Sequence, residues 1–290
     1  QYDWLKKHLQ HLVTLKDRYL REDTADPQDV EYGFWSTKKL IAINYLIPQF
    51  GNLAAKGGFA HCFYLDVLAG SGIMRVGREI LPGSAIVALA SKTTPPHFEK
   101  YFFVEEDPVK ADLLKSRLAR VAGDLGDREF EVRPGDCNRV LPGILEEIYR
   151  QDSSSCFLAL FDPEGYSETS WSTVKMLLGK GKGDLIFNFT EGVARNIQKA
   201  RSDPSYLPAL QEYFGEPPDV WLQLSGYGNS VEHFIRKLRV VNGVRRVVFR
   251  IDVRDERNRP LYALLITTGS TGVANIIGTL KARLDAVKVR

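Results

Sequence analysis

The stretch Asp66-Val67-Leu68-Ala69-Gly70-Ser71-Gly72 decides the fold, because it joins an apolar run to a glycine turn. The run Phe63 to Leu68 predicts a buried strand, and a turn behind such a strand lies where open α/β sheets bind ligands. Glycine lets the backbone approach a ligand closely. The dinucleotide pattern G-x-G-x-x-G lacks its third glycine here, and Asp66 would repel a pyrophosphate. The turn therefore favours a cationic or hydroxyl-bearing ligand.

Short apolar runs alternate with helical stretches on the carboxyl side of this turn. The predicted strands are Phe63 to Leu68, Tyr101 to Val104, Phe130 to Arg133, Cys156 to Phe161 and Leu185 to Phe189. The predicted helices lie near Gly83 to Ser91, Pro108 to Ala122, Arg139 to Tyr149 and Trp171 to Leu178. Strands and helices that alternate at these lengths predict an α/β fold with a mostly parallel sheet and helices on both faces.

The carboxyl-terminal part breaks this alternation. Val244 to Val253 and Leu261 to Thr268 both read as strands, and the short Arg254 to Pro260 segment cannot hold a helical crossover. The two strands therefore predict an antiparallel hairpin, followed by a helix over Val273 to Ala286.

Helical spacing also marks the amino-terminal part of the chain, over Tyr2 to Leu20 and again from Ser36, with the polar stretch Arg21 to Gly33 between the two helices. The predicted organisation is a helical preface over residues 1–58 and one α/β domain over residues 59–290. A helical insertion is predicted at about residues 191–243 of that domain.

Acidic residues lie at the ends of four consecutive predicted strands. They are Asp66, the pair Glu105-Glu106, Asp136 and Asp162. The segment Ile73 to Pro82 reads as an inserted loop that delays the next helix to Gly83-Ser84. Any single one of these acids is explained by the preference of Asp and Gly for turns, but the set at one sheet edge indicates a binding site.

The order of these motifs resembles the class I S-adenosylmethionine-dependent methyltransferases, with their Rossmann-like sheet and terminal antiparallel hairpin. More closely, the chain resembles the three-Cys-motif partner family. The motifs that carry this resemblance are Trp35-Ser36-Thr37-Lys38, Leu65 to Gly72, Pro82-Gly83-Ser84-Ala85, Asp162-Pro163-Glu164-Gly165-Tyr166 with Trp171, and Leu261 to Thr268. The similarity spans about Trp35 to Leu284.

The resemblance implies an S-adenosylmethionine site, in which Asp66 lies near the methionine amino end, Glu105 holds the ribose and Asp136 the adenine. The implied cofactor-binding residues are Lys38, Asp66, Ala69, Gly70, Ser71, Gly72, Ser84, Glu105, Glu106, Asp136 and Cys137. No metal site is expected.

The segment after the fourth strand carries the implied catalytic residues, Asp162, Pro163, Glu164 and Tyr166. Asp162 and the Pro163 carbonyl would orient an acceptor amino group, and Glu164 would act as a base. Tyr166 or Trp171 would form a stacking wall, although packing of the loop explains both aromatic residues equally well. Lys38 is also explained as a solvated lysine.

Two other functions stay open beside methyl transfer. The family pattern often has an aromatic residue where this chain has Glu164, so a cofactor-binding partner subunit without transfer activity is the main alternative. A nicotinamide-dependent oxidoreductase is disfavoured by the missing third glycine and by Asp66.

Charge gives the only indication of an acceptor. The 290-residue chain has a net charge of +3, yet nine cations and three acids lie between Arg236 and Arg259. Clustered arginines bind phosphate backbones, which favours nucleic acid as the acceptor and leaves a protein partner possible. Part of the cluster is a hairpin tip, where charges also prevent aggregation.

Composition excludes several classes of protein. With 44% hydrophobic and 26% charged residues, the chain is neither fibrous nor disordered. The cysteines Cys62, Cys137 and Cys156 are too few and too far apart for a disulfide scaffold or a zinc site. The absence of an apolar run of membrane-spanning length and of a signal-peptide pattern predicts a cytoplasmic protein without a membrane partner.

Overall fold

The computed structural model describes residues 2–21, 23, 31–33, 36–91, 98–126, 128–151, 154–180 and 182–286. Trp35, which belongs to the first motif of the resemblance, lies outside the described residues, as does most of the polar stretch Arg21 to Gly33.

A seven-stranded sheet forms the centre of the protein. Its strands are β2 (His61–Asp66), β5 (Lys100–Glu105), β6 (Phe130–Pro134), β7 (Ser155–Phe161), β8 (Gly183–Thr190), β11 (Val247–Arg254) and β12 (Pro260–Thr268). They are arranged in the order β11-β12-β8-β7-β2-β5-β6, and among them β12 alone runs antiparallel to the others. The predicted Rossmann-like α/β sheet with its antiparallel terminal hairpin is confirmed.

Helices cover both faces of this sheet, as predicted. The helices are α1 (Tyr2–Tyr19), α2 (Thr37–Lys56), α3 (Ser84–Ala90), α4 (Pro108–Leu125), α5 (Cys137–Gln151), α6 (Trp171–Leu178), α7 (Glu191–Ala200), α8 (Leu207–Phe214), α9 (Pro218–Trp221), α10 (Gly226–Leu238) and α11 (Thr271–Asp285). Side chains from α1 to α4 and α11 form the core on one face. Those from α5 to α10 form the core on the other.

The sequence predicted a loop for Ile73 to Pro82, but this segment forms a β-hairpin. Strands β3 (Ile73–Val76) and β4 (Glu79–Pro82) pair antiparallel, and β1 (Glu31–Tyr32) pairs with β3. The hairpin forms because Gly77 takes a φ of 60° at the start of a two-residue turn, a conformation that favours glycine.

The predicted strand Val244 to Val253 is also interrupted. The short strands β9 (Val240–Val241) and β10 (Val244–Arg245) form a separate antiparallel pair, and β11 begins only after Arg246. The Arg246 guanidinium is buried, where it donates to the Gly183 carbonyl and to Asp184 at 3.2 Å. This inward turn of one side chain separates β10 from β11.

The helical preface and the helical insertion stay predictions as divisions of the chain. Residues 191–243 contain α7 to α10 together with β9. In the described part of the chain, no helix combines the length and the apolar character needed to cross a bilayer.

Candidate functional site

The glycine turn leaves β2 at the carboxyl edge of the sheet. Gly70 and Gly72 have φ angles of 62° and 86°, in the left-handed region that favours glycine. A Cβ atom at Gly72 would lie 2.9 Å from Leu114 Cδ1, whereas the position at Gly70 is open. The turn is therefore packed against Leu114 at Gly72 and accessible at Gly70.

The β3–β4 hairpin returns to this turn before α3 begins. The Gly83 amide donates to the Gly72 carbonyl at 2.7 Å, and a Cβ atom at Gly83 would lie 2.8 Å from the Gly72 carbonyl carbon. Glycine is therefore required for this close approach. The closure places Ser84, the first residue of α3, directly behind the glycine turn.

Two further hydrogen bonds hold the turn in place. The Ala69 amide donates to the Val104 carbonyl at 2.8 Å. Arg117 Nη1 on α4 donates to the Ser71 carbonyl at 2.6 Å, although Arg117 is only 2% exposed. The remaining guanidinium nitrogens pair with Asp23. Sequence reasoning missed Arg117, since nothing local marks a helix arginine as buried.

Glu105, at the end of β5, contacts the glycine turn directly. Its Oε2 accepts from the Gly70 amide at 2.9 Å and its Oε1 from the Asp107 amide at 3.0 Å. Glu106 is exposed, and its charge contributes to raising the pKa of Cys137. The structure therefore joins Glu105 to Gly70, and the ribose-binding role of Glu105 stays a prediction.

Asp136 caps α5, and Cys137 is the first residue of that helix. Asp136 Oδ1 accepts from the Asn138 amide at 2.9 Å and from its side chain at 3.0 Å, which is the contact of a helix cap. The Cys137 thiol is buried and donates to the Glu168 carbonyl, with 3.6 Å between sulfur and oxygen. Burial is the main reason that the pKa of Cys137 is raised to about 12. The side chain of Cys137 thus serves packing.

Asp66 lies beneath the site, with no exposed surface. Burial raises the pKa of Asp66 to about 7, and the Asp162 carboxylate adds to this shift, while Ser84, Lys39 and the Leu68 amide oppose it. The Ser84 hydroxyl and the Leu68 amide approach the carboxyl without completing hydrogen bonds of standard geometry. Asp66 is therefore a buried, partly neutralised carboxyl.

Asp162, at the end of β7, is held from two sides. Lys39 Nζ on α2 pairs with Asp162 Oδ2, and Asn188 Nδ2 on β8 donates to Asp162 Oδ1 at 2.7 Å. Sequence reasoning missed both partners. It selected Lys38 instead, which is half-buried and has Asp285 as its charged neighbour.

The loop after Asp162 is folded by Glu168, another residue that sequence reasoning missed. Its carboxylate accepts from the amides of Glu164 at 2.9 Å and Gly165 at 3.1 Å. Burial raises the pKa of Glu168. Pro163 is buried and Glu164 is exposed beside it.

The two aromatic residues proposed as a stacking wall differ in position. Tyr166 is half-buried and packs against the core on the α5–α10 face. Trp171 is only 8% exposed, with Phe234 edge-on at 5.4 Å and Lys237 Nζ 4.3 Å from its ring. Trp171 is therefore a core residue, and the expectation that it faces a substrate is wrong.

The cations between Arg236 and Arg259 do not form one surface. Four of them have acidic partners, since Lys237 pairs with Glu216, Arg246 with Asp184, Arg250 with Asp252 and Arg259 with Asp255. The exposed ones lie in two places, because Arg245 precedes the start of β11 and Arg254 ends it. Arg254 and Arg257 lie at the same sheet edge as the glycine turn.

A cavity of about 220 Å³ opens at the opposite edge of the sheet, lined by residues that include Phe50, Cys156 and Asp184. None of the predicted site residues lines it. Among the described residues, no group of three His, Cys, Asp or Glu side chains is placed to hold a metal ion.

Comparison with known proteins finds solved structures of low sequence identity to this chain. No protein-family model and no curated protein matches the chain. A Legionella pneumophila protein assigned to the family model DUF519 is 12% identical, with a TM-score of 0.46, over 84% of this chain and 92% of that one.

One similar structure is an O-methyltransferase, and another contains S-adenosyl-L-methionine. An O-methyltransferase from Bacillus cereus in complex with SAH is 14% identical, with a TM-score of 0.42, over 92% of this chain and 90% of that one. Trm1 from Pyrococcus horikoshii with S-adenosyl-L-methionine is 14% identical, with a TM-score of 0.45, over 83% of this chain and 58% of that one. At these scores the similarity carries no argument about residues or substrates, and membership of the three-Cys-motif partner family stays a prediction.

Proposed function

We propose that the chain is an S-adenosylmethionine-dependent methyltransferase whose cofactor lies across the carboxyl ends of β2, β5 and β6. The observation that carries this proposal is the hydrogen bond between Gly70 and Glu105, which joins the open turn after one strand to the acid after the next. An accessible glycine backbone and a neighbouring carboxylate suit a ligand with an ammonium group and a ribose.

Each part of the site has a proposed task. The turn from Ala69 to Gly72 receives the methionine portion, Glu105 the ribose hydroxyls and Asp136 the adenine. When bound, S-adenosylmethionine would supply a methyl group activated by its sulfonium, and an acceptor that takes this methyl group would lose a proton. Asp162 orients the acceptor and receives that proton, because a carboxylate held in place needs no reorganisation.

Nucleic acid is the proposed acceptor. Its support is the position of Arg254 and Arg257, which are exposed at the hairpin tip on the sheet edge that carries Asp162. The alternative is a cofactor-binding subunit without transfer activity. The observation that favours it is Glu164, whose acidic side chain is exposed where related motifs often carry an aromatic residue. Cytoplasmic location is likewise an expectation.

Calorimetric titration with S-adenosylmethionine tests the cofactor site. We expect saturable binding by the wild type and at least about tenfold weaker binding by Glu105→Gln. The carboxylate accepts hydrogen bonds from the Gly70 and Asp107 amides, whereas the NH2 group of glutamine would face one of these N–H donors. Glu146→Gln, on the exposed side of α5, is the matched control. NAD serves as the competing ligand. A folded wild type that binds NAD and not S-adenosylmethionine would overturn the proposal.

A further inference from the structure

Lys39 and Asp162 form an ion pair that joins α2 to the end of β7. Both side chains are only 14% exposed, so the pair is largely withdrawn from water. An exposed ion pair contributes little, whereas removal of one partner from a desolvated pair leaves an uncompensated charge away from water. The Asp162 carboxylate is also bound by Asn188 at its second oxygen. Its orientation is therefore determined by two elements that flank β7 from different parts of the chain.

The ion pair lies next to the buried Asp66 carboxyl. The Lys39 ammonium lowers the pKa of Asp66 and the Asp162 carboxylate raises it, so the three groups interact. Among the described residues, the Ser84 hydroxyl on α3, the Leu68 amide and the Tyr64 phenol on the same strand also interact with Asp66. Lys39 thus supplies a positive charge next to two carboxyls.

Two of the lone-pair positions of the Asp162 carboxylate are occupied by Lys39 and Asn188. A carboxylate offers about four such positions, and an acceptor would take one of the others. The Tyr64 and Tyr262 phenols are also near enough to interact with this carboxylate. Because both carboxylate oxygens have a fixed partner, the remaining lone pairs keep a fixed direction. A fixed direction is the condition for orienting an acceptor before reaction.

We propose that Lys39 is a positioning residue of the acceptor site, which fixes the Asp162 carboxylate from α2 while Asn188 fixes it from β8. This inference rests on the proposed function, in which Asp162 receives the acceptor proton. It assigns to the amino-terminal helical segment a part in the reaction that the strand-end motifs do not supply.

The first test needs neither cofactor nor acceptor. Carboxyl-labelled aspartate is followed by carbon NMR through a pH titration, with the Asp66 signal assigned by Asp66→Asn. We expect Lys39→Met to raise the Asp66 midpoint by about one pH unit and Asp162→Asn to lower it. Lys39→Arg retains the charge and should stay close to the wild type. Lys56→Met, exposed at the far end of α2, is the control.

The second test measures methyl transfer in the full chain. Lys39→Met should lower kcat by about tenfold or more and move the acidic limb of the pH–rate profile to higher pH. Its affinity for S-adenosylmethionine should stay within about twofold of the wild-type value. Lys39→Arg should recover part of kcat. Asn188→Leu, which frees the other oxygen, should lower kcat in the same way and serves if Lys39→Met does not fold.

The outcomes separate the two proposals. A wild type that binds no S-adenosylmethionine overturns the proposed function, and the role of Lys39 falls with it. An active wild type whose kcat and pH profile are matched by Lys39→Met overturns the role of Lys39 alone. A rise in kcat on removing Lys39 would show that the ammonium blocks Asp162, which also overturns it.

Discussion

Arg117 of α4 donates to the backbone carbonyl of Ser71 at 2.6 Å, so a buried guanidinium supports the glycine turn from behind. The same guanidinium is held by Asp23, whose pKa is lowered by Arg117 and Arg120 against the opposing effect of burial. The turn is thus anchored to a residue far upstream in the sequence. Its shape depends on α4 and on the amino-terminal segment as well as on its own glycines.

Replacement of Arg117 tests this anchor. Arg117→Met should weaken S-adenosylmethionine binding by about tenfold or more and lower the free energy of unfolding by about 3 kcal/mol, because it leaves the Ser71 carbonyl without its buried donor and Asp23 with Arg120 as its remaining cation. Calorimetry and urea unfolding measure the two effects. Arg120→Met is the control, since the exposed Arg120 pairs with the same Asp23 carboxylate. Equal losses in both variants would contradict a specific role for the contact with Ser71.

The two glycines of the turn should respond differently to alanine. Gly72→Ala should be strongly destabilising, because it adds a Cβ atom 2.9 Å from Leu114 Cδ1 to the strain of a positive φ. Gly70→Ala meets only the strain, on the order of 1 kcal/mol. We expect Gly70→Ala to keep its fold and lose cofactor affinity, as thermal unfolding and calorimetry would show. Undiminished binding by Gly70→Ala would mean that no ligand approaches the turn there.

Asp66 should make stability depend on pH in a direction unusual for a carboxyl. Its folded-state pKa is raised to about 7 from 3.8, so between these values the native state holds a proton that the unfolded chain releases. Its contribution therefore falls as pH rises from about 4 to 7, by at most about 4 kcal/mol.

Asp66→Asn removes this dependence. Urea unfolding at pH 5 and pH 8 should show the variant gaining stability relative to the wild type at the higher pH. Asp184, whose pKa is raised to about 6 mainly by burial, contributes equally to both proteins and cancels in the difference. A stability difference that does not change with pH would contradict the assignment.

The exposed arginines at the two sheet edges allow a direct test of nucleic acid as a partner. The double variant Arg254→Ala with Arg257→Ala should weaken RNA or DNA binding and reduce the slope of log affinity against log salt by about 2. Arg239→Ala with Arg245→Ala removes two exposed arginines from the segment that precedes β11. Filter-binding measurements in which both pairs act equally would assign the binding to net charge and not to the site edge.

The fold was predictable because its signals are local. Apolar runs such as Cys156 to Phe161 alternate with helical stretches, and the short Arg254 to Pro260 link requires an antiparallel return. The β3–β4 hairpin was not predictable, since Arg75, Arg78 and Glu79 give this segment the composition of a loop. Its pairing depends on the turn at Gly77, which sets the register.

The site was predictable only in part, for a related reason. Strand-end acids such as Glu105 and Asp162 follow recognisable runs, but their partners come from distant elements. Lys39 and Asp162 are 123 residues apart, and neighbouring lysines on a helix point about 100° apart, so the sequence could not choose between Lys38 and Lys39. Asn188 had one local signal, an amide within an apolar strand.

The hydrogen bond between Gly72 and Gly83 has a consequence for how this chain can be altered. It closes residues 73–82 into an excursion whose two ends meet at one backbone contact, so length added at the Gly77-Arg78 tip need not displace α3 or the turn. The tip is exposed. A fluorescent reporter or affinity tag inserted there would lie close to the proposed ligand-binding edge, while the glycine turn and α3 keep their geometry.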